Sequence, residues 1–280
     1  MRDKPYFSIR TGRRREDPKL SLDPLRRSFV ALHSEFTEKG YFQEHLGIGC
    51  VDGFIPGLAG LDVALYVLRK LRKEDLWPVW EHAEHYTADD IFDLLEFLYD
   101  HASKPTDEGH YHSWNGCGHH YSRFDGESGR SAFRAEVNQV LRLYDDGFEL
   151  SVEGEILTLP GGEIEPLLES ELPSPDHENV TARVHAAAQK FRRRGSSESD
   201  RRDAIRDLAD VLEYLRPEAK KVLSSQDEAD LFNIANNFGI RHHNKQQKTH
   251  YNKSVWLSWM FYYYLASIHA LVRLINEHRS

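Results

Sequence analysis

The first half of the chain carries apolar residues at intervals of three and four, which is the pattern of amphipathic helices packed on a core. Helices are predicted at 24–38, 58–73, 87–99 and 131–144. In the second of them, the predicted core face is formed by Leu61, Leu65, Leu68 and Leu71. Thr87 is the predicted N-cap of the third helix, because Asp89 and Asp90 follow in the first turn, where the helix dipole favours acids.

Between 148 and 159 the apolar period changes to two, which predicts a β-hairpin. Phe148 and Leu150 alternate with polar residues, and Gly154 supplies the turn. The acidic, proline-bearing stretch 163–175 is typical of a linker. We therefore predict an N-terminal α+β domain at 1–165, with a sensing or regulatory role, and a second domain at 166–280.

The second half returns to the helical period throughout, so the predicted fold class is mostly α. Helices are predicted at 180–194, 200–215, 226–238 and 252–278. Pro217 is expected to end the second of these helices, and Gly239 the third. The four helices predict a C-terminal helical bundle.

The last helix contains one stretch, 255–272, that lacks Asp, Glu, Lys and Arg. It is roughly 18 residues long, near the lower limit for crossing a bilayer. Because it also carries three tyrosines, two serines and His269, we predict a buried core helix without a membrane partner.

Cysteine usage and the N-terminus indicate the compartment. Cys50 and Cys117 are the only cysteines, which argues against a disulfide scaffold and favours a reducing cytoplasm. The charged N-terminus lacks the apolar run of a secretory signal. Cys50 is predicted to be a core residue.

Charge is distributed unevenly along the chain. The net charge is -9, which makes the whole molecule a poor generic polyanion binder. No acidic residue occurs between Asp230 and Glu277, however, and the basic residues in that interval are Arg241, Lys245, Lys248, Lys253 and Arg273. Lys245, Lys248 and Lys253 are therefore candidate RNA-binding residues.

The same interval holds the candidate catalytic residues Arg241, His242, His243, Asn244 and His250. Arginine carries a permanent planar charge suited to phosphate oxygens, and histidine accepts or donates a proton near neutral pH. RNA cleavage by internal transfer needs these functions and no metal ion. The other interpretation is an exposed loop whose histidines cap helix ends.

A bundle with Arg and His before its last long helix resembles the HEPN fold of prokaryotic antiviral ribonucleases and toxins. Segments 238–244 (FGIRHHN) and 256–264 (WLSWMFYYY) look like the C-terminal domain of abortive-infection proteins of the AbiJ type. Segments 133–138 (FRAEVN) and 148–156 (FELSVEGEI) look like their N-terminal domains. The resemblance implies a four-helix HEPN-like bundle, a homodimer with its composite site at the interface, and antiviral defence.

The chain departs from the family's ribonuclease motif at one point. Where that motif places its spaced histidine after the arginine, this chain has Gln246, Gln247 and Lys248. The leading hypothesis is a metal-independent HEPN endoribonuclease that needs no cofactor. The first alternative is a non-catalytic HEPN-like bundle that binds RNA or a protein.

A second alternative is a zinc-stabilised binding module in the first half. Histidines and one cysteine crowd into 110–120, although their spacing matches no common zinc finger. The first candidate ligands are Cys117 and His119, followed by His110 and His112. An irregular surface loop is the competing interpretation. The acidic residues at 89–96 are predicted to form the solvated face of a helix.

Overall fold

The computed structural model describes residues 6–13, 19–114, 117–159, 167–168, 170–224, 226–227, 229, 231–232 and 253–279. The chain divides into two compact units, Met1–Leu159 and Pro160–Ser280, and each is described by itself. The sequence-based boundary at 165 lies a few residues beyond this division. Both units are mainly helical in their described parts, which confirms the mostly α fold class.

The helices of the first unit are named in chain order. They are α1 Phe7–Arg10, α2 Leu22–Glu38, α3 Gln43–Leu46, α4 Val63–Leu71, α5 Val79–His82, α6 Ala88–Asp100 and α7 Gly126–Leu141. A 3-10 turn, Ala83–His85, follows α5. Helices α2, α6 and α7 pack against one another and enclose an aromatic-rich core, in which the Phe36 and Phe133 rings meet edge to face at 5.0 Å.

The strands of this unit form four small antiparallel pairs. They are β1 Ile48–Cys50, β2 Gly53–Ile55, β3 Lys104–Pro105, β4 His110–His112, β5 Gly118–His120, β6 Phe124–Asp125, β7 Phe148–Leu150 and β8 Ile156–Thr158. The pairs are β1–β2, β3–β6, β4–β5 and β7–β8.

The β7–β8 pair confirms the predicted hairpin, with Phe148 opposite Thr158 and Gly154 in its turn at a φ of +87°. Side chains from two helices hold this hairpin. The Asn138 amide of α7 exchanges two hydrogen bonds with the Leu150 backbone, at 3.1 and 2.6 Å. The Glu96 carboxylate of α6 accepts a hydrogen bond of 2.7 Å from the Ile156 N–H.

The capping residues and the spacing of apolar residues predicted α6 correctly but α4 only in part. Thr87 and Asp90 form the reciprocal capping box at the start of α6. In α4, the predicted leucine face is correct only for Leu71, which packs against the core, since Leu61 precedes the helix and Leu65 is exposed. Val67 is buried and Val63 packs beside it, so the valine stripe of the helix faces the core.

The second unit is built from long helices. The described helices are α8 Ala182–Arg192, α9 Glu198–Val222 and α10 Lys253–Arg279, and a π-helical turn, His177–Thr181, leads into α8. Residues 226–227, 229 and 231–232 are also helical, within the predicted helix 226–238, whose remaining residues lie outside the described part. Helix α9 packs against both α8 and α10, as expected for a bundle.

The predicted end of a helix before Pro217 is wrong, because α9 continues through this proline to Val222. A proline inside a helix loses one backbone hydrogen bond and costs about 3 kcal/mol. Ala219 is fully buried in the next turn, and Val222 packs against the same core. Burial beyond the proline therefore outweighs the local cost.

Helix α10 confirms the long C-terminal helix and forms much of the core of this unit. Met260, Phe261 and Ile268 are fully buried, and the Phe261 ring stacks on Phe191 at 4.0 Å. By length and composition, Val255–Arg279 is apolar enough to cross a membrane, and half of its most apolar window is buried inside the unit. This burial supports the prediction of a core helix.

Candidate functional site

The predicted catalytic residues lie outside the described part of the chain. Arg241, His242, His243, Asn244 and His250 all fall in the interval 233–252, as do Lys245 and Lys248. Lys253 is the first residue of α10. The chemistry predicted for these residues therefore stays a prediction.

The helix that follows this interval presents a strip of aromatic side chains, which we call the aromatic strip: Trp256, Trp259 and Tyr263. Their spacing of three and four places them on one face of α10. Trp256 is 38% and Trp259 is 42% exposed, whereas Leu257 and Met260 on the other face are buried. The Trp256 and Trp259 rings meet edge to face at 5.4 Å, and Trp259 stacks on Tyr263 at 5.4 Å.

A second candidate site, in the first unit, is a group of four metal-ligating side chains that we call the Cys/His cluster: Cys50, His112, Cys117 and His120. One ligand atom from each residue lies within 4.8 Å of all the others. Cys50 Sγ is 3.3 Å from His112 Nδ1, and Cys117 Sγ is 3.0 Å from His120 Nε2. All four residues are half-buried, and both cysteines are free thiols.

The register of the β4–β5 hairpin determines which of its histidines lie on the same face as the cluster. In its register, His112 faces Gly118 and Tyr111 faces His119. Because side chains alternate between the two faces of a strand, His112 and His120 share one face with His110, which lies opposite His120, and His119 points from the other. His119 instead stacks on Tyr121, with ring centroids 5.8 Å apart.

Helix α3 holds this hairpin beside β1, which carries Cys50. The Gln43 side chain donates a hydrogen bond of 2.9 Å to the His119 carbonyl and accepts one of 3.2 Å from the Tyr121 N–H. The Tyr121 ring lies against Gly109, where an added Cβ would approach it to 2.7 Å. These contacts bring β1 and the hairpin together although Cys50 is distant from them in sequence.

Cys117 does not have the lowered pKa of a nucleophilic cysteine. Burial, followed by the neighbouring Cys50 thiol, raises the pKa of Cys117 above its ordinary value. Catalytic cysteines have a lowered pKa, because the thiolate is the reactive form. A pair of thiols beside two imidazoles is, in contrast, a common donor set for a bound cation.

The structure agrees with part of the predicted ligand set. His112 and Cys117 belong to the cluster, whereas His110 and His119 are exposed and lie outside it. His120 takes the place of His119 because of the strand alternation. The predicted core position of Cys50 is wrong, since this residue is half-buried with its thiol on His112. No local spacing signals Cys50, because its partners lie about sixty positions further along the chain.

The acidic face of α6 is not wholly solvated, contrary to the prediction. Asp90 is 4% exposed, where it caps the helix and pairs with Lys73. Asp93 is exposed, and Glu96 binds the Ile156 N–H. The pKa of Glu96 is raised, mainly because its carboxylate is partly buried. Asp90 and Glu96 therefore have structural partners.

Comparison with known proteins found no family model, no curated protein and no solved structure that matches the chain.

Proposed function

We propose that the second unit binds single-stranded RNA and cleaves it without a catalytic metal ion. The observation that supports this proposal is the aromatic strip, which stands on the first turns of α10, inside the acid-free interval and directly after the basic residues Arg241, Lys245 and Lys248. The HEPN resemblance implies the same activity, and it further implies a cytoplasmic, homodimeric protein of antiviral defence. The resemblance does not specify a partner that regulates this activity.

Single-stranded RNA offers two chemical features that this surface fits. Unstacked bases stack on aromatic side chains, each worth about 1–3 kcal/mol. Phosphates are attracted by lysine and arginine, which the interval supplies through Lys245, Lys248 and Lys253. The strip and the lysines adjoin in sequence, so one strand is expected to contact both.

The proposed reaction is an internal transfer at one phosphate. A histidine, His242 or His243, accepts the proton of the 2′-hydroxyl, and this oxygen bonds to the phosphorus. Arg241 neutralises the charge that develops on the phosphate oxygens, while Asn244 orients the phosphate or the imidazole. The bond to the 5′-oxygen breaks, and a second imidazole, from His250 or the partner copy, donates the proton. The products are a 2′,3′-cyclic phosphate and a 5′-hydroxyl.

The test measures cleavage of tRNA and of a labelled single-stranded RNA in buffer without added divalent cations. Arg241→Ala and His242→Ala/His243→Ala are each expected to lower the rate at least about a hundredfold, because they remove charge stabilisation and proton transfer. His278→Ala, an exposed histidine at the far end of α10, serves as the control and should cleave normally. The 3′ end of the product should carry the cyclic phosphate.

The outcomes separate the remaining hypotheses. Cleavage that survives both variants would contradict the assignment of this site. RNA binding without cleavage, by folded wild-type protein, would favour the non-catalytic HEPN-like bundle, an alternative that the absent spaced histidine supports. Absence of both binding and cleavage would contradict the proposal itself.

A further inference from the structure

The Cys/His cluster points to a function separate from RNA cleavage. We propose that Cys50, His112, Cys117 and His120 bind one zinc ion in a closed, tetrahedral, structural site. The donor set is two sulfurs and two imidazole nitrogens, which is a ligand combination of structural zinc sites. All four ligands come from the protein, so no position stays open for a water nucleophile or a substrate.

The distances between ligand atoms agree with this geometry. Zinc–sulfur bonds of about 2.3 Å and zinc–nitrogen bonds of about 2.0–2.1 Å place tetrahedral ligand atoms roughly 3.4–3.8 Å apart. The sulfur–nitrogen pairs lie at 3.3 and 3.0 Å, and every pair is within 4.8 Å. Small side-chain rotations that move ligand atoms by up to about 1 Å would therefore bring all four atoms onto one ion.

The ligand chemistry selects zinc among the common metals. Oxygen ligands, which calcium and magnesium require, are absent from the four-residue set. Thiolate with imidazole in a tetrahedral arrangement suits zinc. Two thiolates also neutralise the charge of a divalent cation, so the bound site carries no net charge.

The two segments that supply the ligands have little hydrophobic burial, so a bound ion would stabilise them. Within the described residues, neither 47–66 nor 104–128 contains a buried side chain, and Val51, Phe54 and Ile55 are exposed. The strand pairs in these segments, β1–β2 and β4–β5, are three residues long on each side. Isolated two-stranded hairpins are at best marginally stable.

A metal ion supplies what the hydrophobic core does not. It would join Cys50 of β1 to three ligands of the β4–β5 hairpin and so close a loop of about sixty residues in the chain, which restricts the unfolded state strongly. Metal-binding free energy then becomes folding free energy for both segments. Gln43 and Tyr121 orient the backbone around the ligands, as outer contacts commonly do at metal sites.

The test is the zinc content of the desalted, untagged full-length protein, measured by plasma mass spectrometry. The wild type is expected to hold about one zinc per chain, because one set of four ligands makes one site. Cys50→Ser and His120→Asn should each reduce zinc affinity by more than roughly tenfold. His119→Ala is the matched control, since His119 lies on the same hairpin but on the face opposite the donor set, and this variant should retain zinc.

Cobalt substitution keeps the test decisive if a ligand variant fails to fold. Wild-type protein loaded with Co²⁺ should show the intense visible bands of a tetrahedral ion and the ultraviolet thiolate-to-cobalt transition. Wild-type protein that holds no zinc and gives no such spectrum would overturn the proposal. Zinc retained by a Cys50→Ser/Cys117→Ser double variant would overturn it too, since sulfur ligation would then be excluded.

These readouts do not depend on RNA cleavage, so failure of one proposal leaves the other standing. They also affect how cleavage is assayed. A strong chelator would remove structural zinc and unfold part of the first unit, which would imitate a catalytic metal requirement. The cleavage assay therefore omits divalent cations and adds no chelator.

Discussion

The core of the first unit keeps the imidazole of His33 uncharged. His33 is 8% exposed and is surrounded by aromatic rings, with Phe42 stacked at 6.0 Å and Trp77 edge-on at 5.5 Å. Burial lowers the pKa of His33 to about 4. The folded state therefore resists a protonation that the unfolded state accepts near pH 6.5.

This difference predicts acid-sensitive stability. Since the folded pKa is depressed, the unfolded state binds more protons between pH 6.5 and about 4, and the free energy of unfolding falls as the pH decreases through that window. Between pH 8 and pH 5, His33 is expected to lower the free energy of unfolding by about 2 kcal/mol. The His33→Phe variant should not show this loss. Urea unfolding at both pH values measures the effect. His278→Gln, at an exposed histidine, should lose as much stability as the wild type between the two pH values. If His33→Phe loses stability equally, the acid sensitivity arises from another group.

At the residue scale, the sequence indicated where the Cys/His cluster lies better than which residues form it. The crowding of histidines at 110–120 indicated a candidate metal site, and His112 and Cys117 belong to the cluster. The choice between His119 and His120 depends on which face of β5 each one occupies, and the short strand has no apolar alternation to reveal it. Cys50 depends on a long-range contact, which spacing along the chain does not encode.

At the element scale, periodicity and capping located most helices, and errors arose where tertiary packing opposed a local signal. Thr87 marked the start of α6 because the capping box is a local interaction. Pro217 gave a strong local stop signal, yet α9 continues to bury Ala219. The α4 face was misassigned because two apolar stripes competed and only the core decides between them.

Replacing the proline in α9 should stabilise the second unit. Pro217→Ala restores the missing backbone donor and removes the ring's clash with the preceding turn, so we expect the free energy of unfolding to rise by about 1–3 kcal/mol. Urea unfolding followed by tryptophan fluorescence measures it. Lys220→Ala, an exposed position in the next turn, should change stability by less than about 0.5 kcal/mol. A lower stability in Pro217→Ala would show that packing requires the proline.

At the scale of the whole molecule, net charge and local charge act in opposite directions. The net charge of -9 repels a nucleic acid, while the acid-free interval from Asp230 to Glu277 attracts it. The mostly α class and the existence of a long final helix followed from composition and period. The arrangement of the interval 233–252 lies outside the described residues, and its predicted role rests on sequence.

The proposed RNA site contains few basic residues, so RNA binding should depend on few ion contacts. With three or four phosphates neutralised by Arg241 and the nearby lysines, the logarithm of affinity should fall against the logarithm of salt with a slope of about -2 to -3. Fluorescence anisotropy with a short single-stranded RNA measures this slope. Lys245→Gln/Lys248→Gln should make the slope shallower by about 1.4, because two contacts are lost. A slope unchanged in that variant would place the contacts elsewhere.

The aromatic strip makes a separate contribution that salt does not screen. Trp256→Ala/Trp259→Ala should weaken RNA binding by about 2–4 kcal/mol at every salt concentration, because two stacking platforms are lost. Trp80→Ala, an exposed tryptophan of the first unit, should leave the affinity unchanged. Circular dichroism would verify that the strip variant keeps its helices. Unchanged binding in a folded strip variant would exclude this face as the RNA surface.

The lack of buried side chains among the described residues of 47–66 and 104–128 has a consequence for how this region can evolve. A packed core normally limits which substitutions a protein tolerates, because adding or removing even one methylene group disturbs the neighbouring side chains. Here that restraint falls on the four donors, on the half-buried side chains of Ala59, Val63 and Tyr66 that pack against the core, and on glycines such as Gly57 and Gly109 that leave no room for a side chain. A saturation mutagenesis profile should therefore show a tolerant stretch interrupted by isolated intolerant sites, and its surface would be free to diversify towards new ligands without loss of the fold.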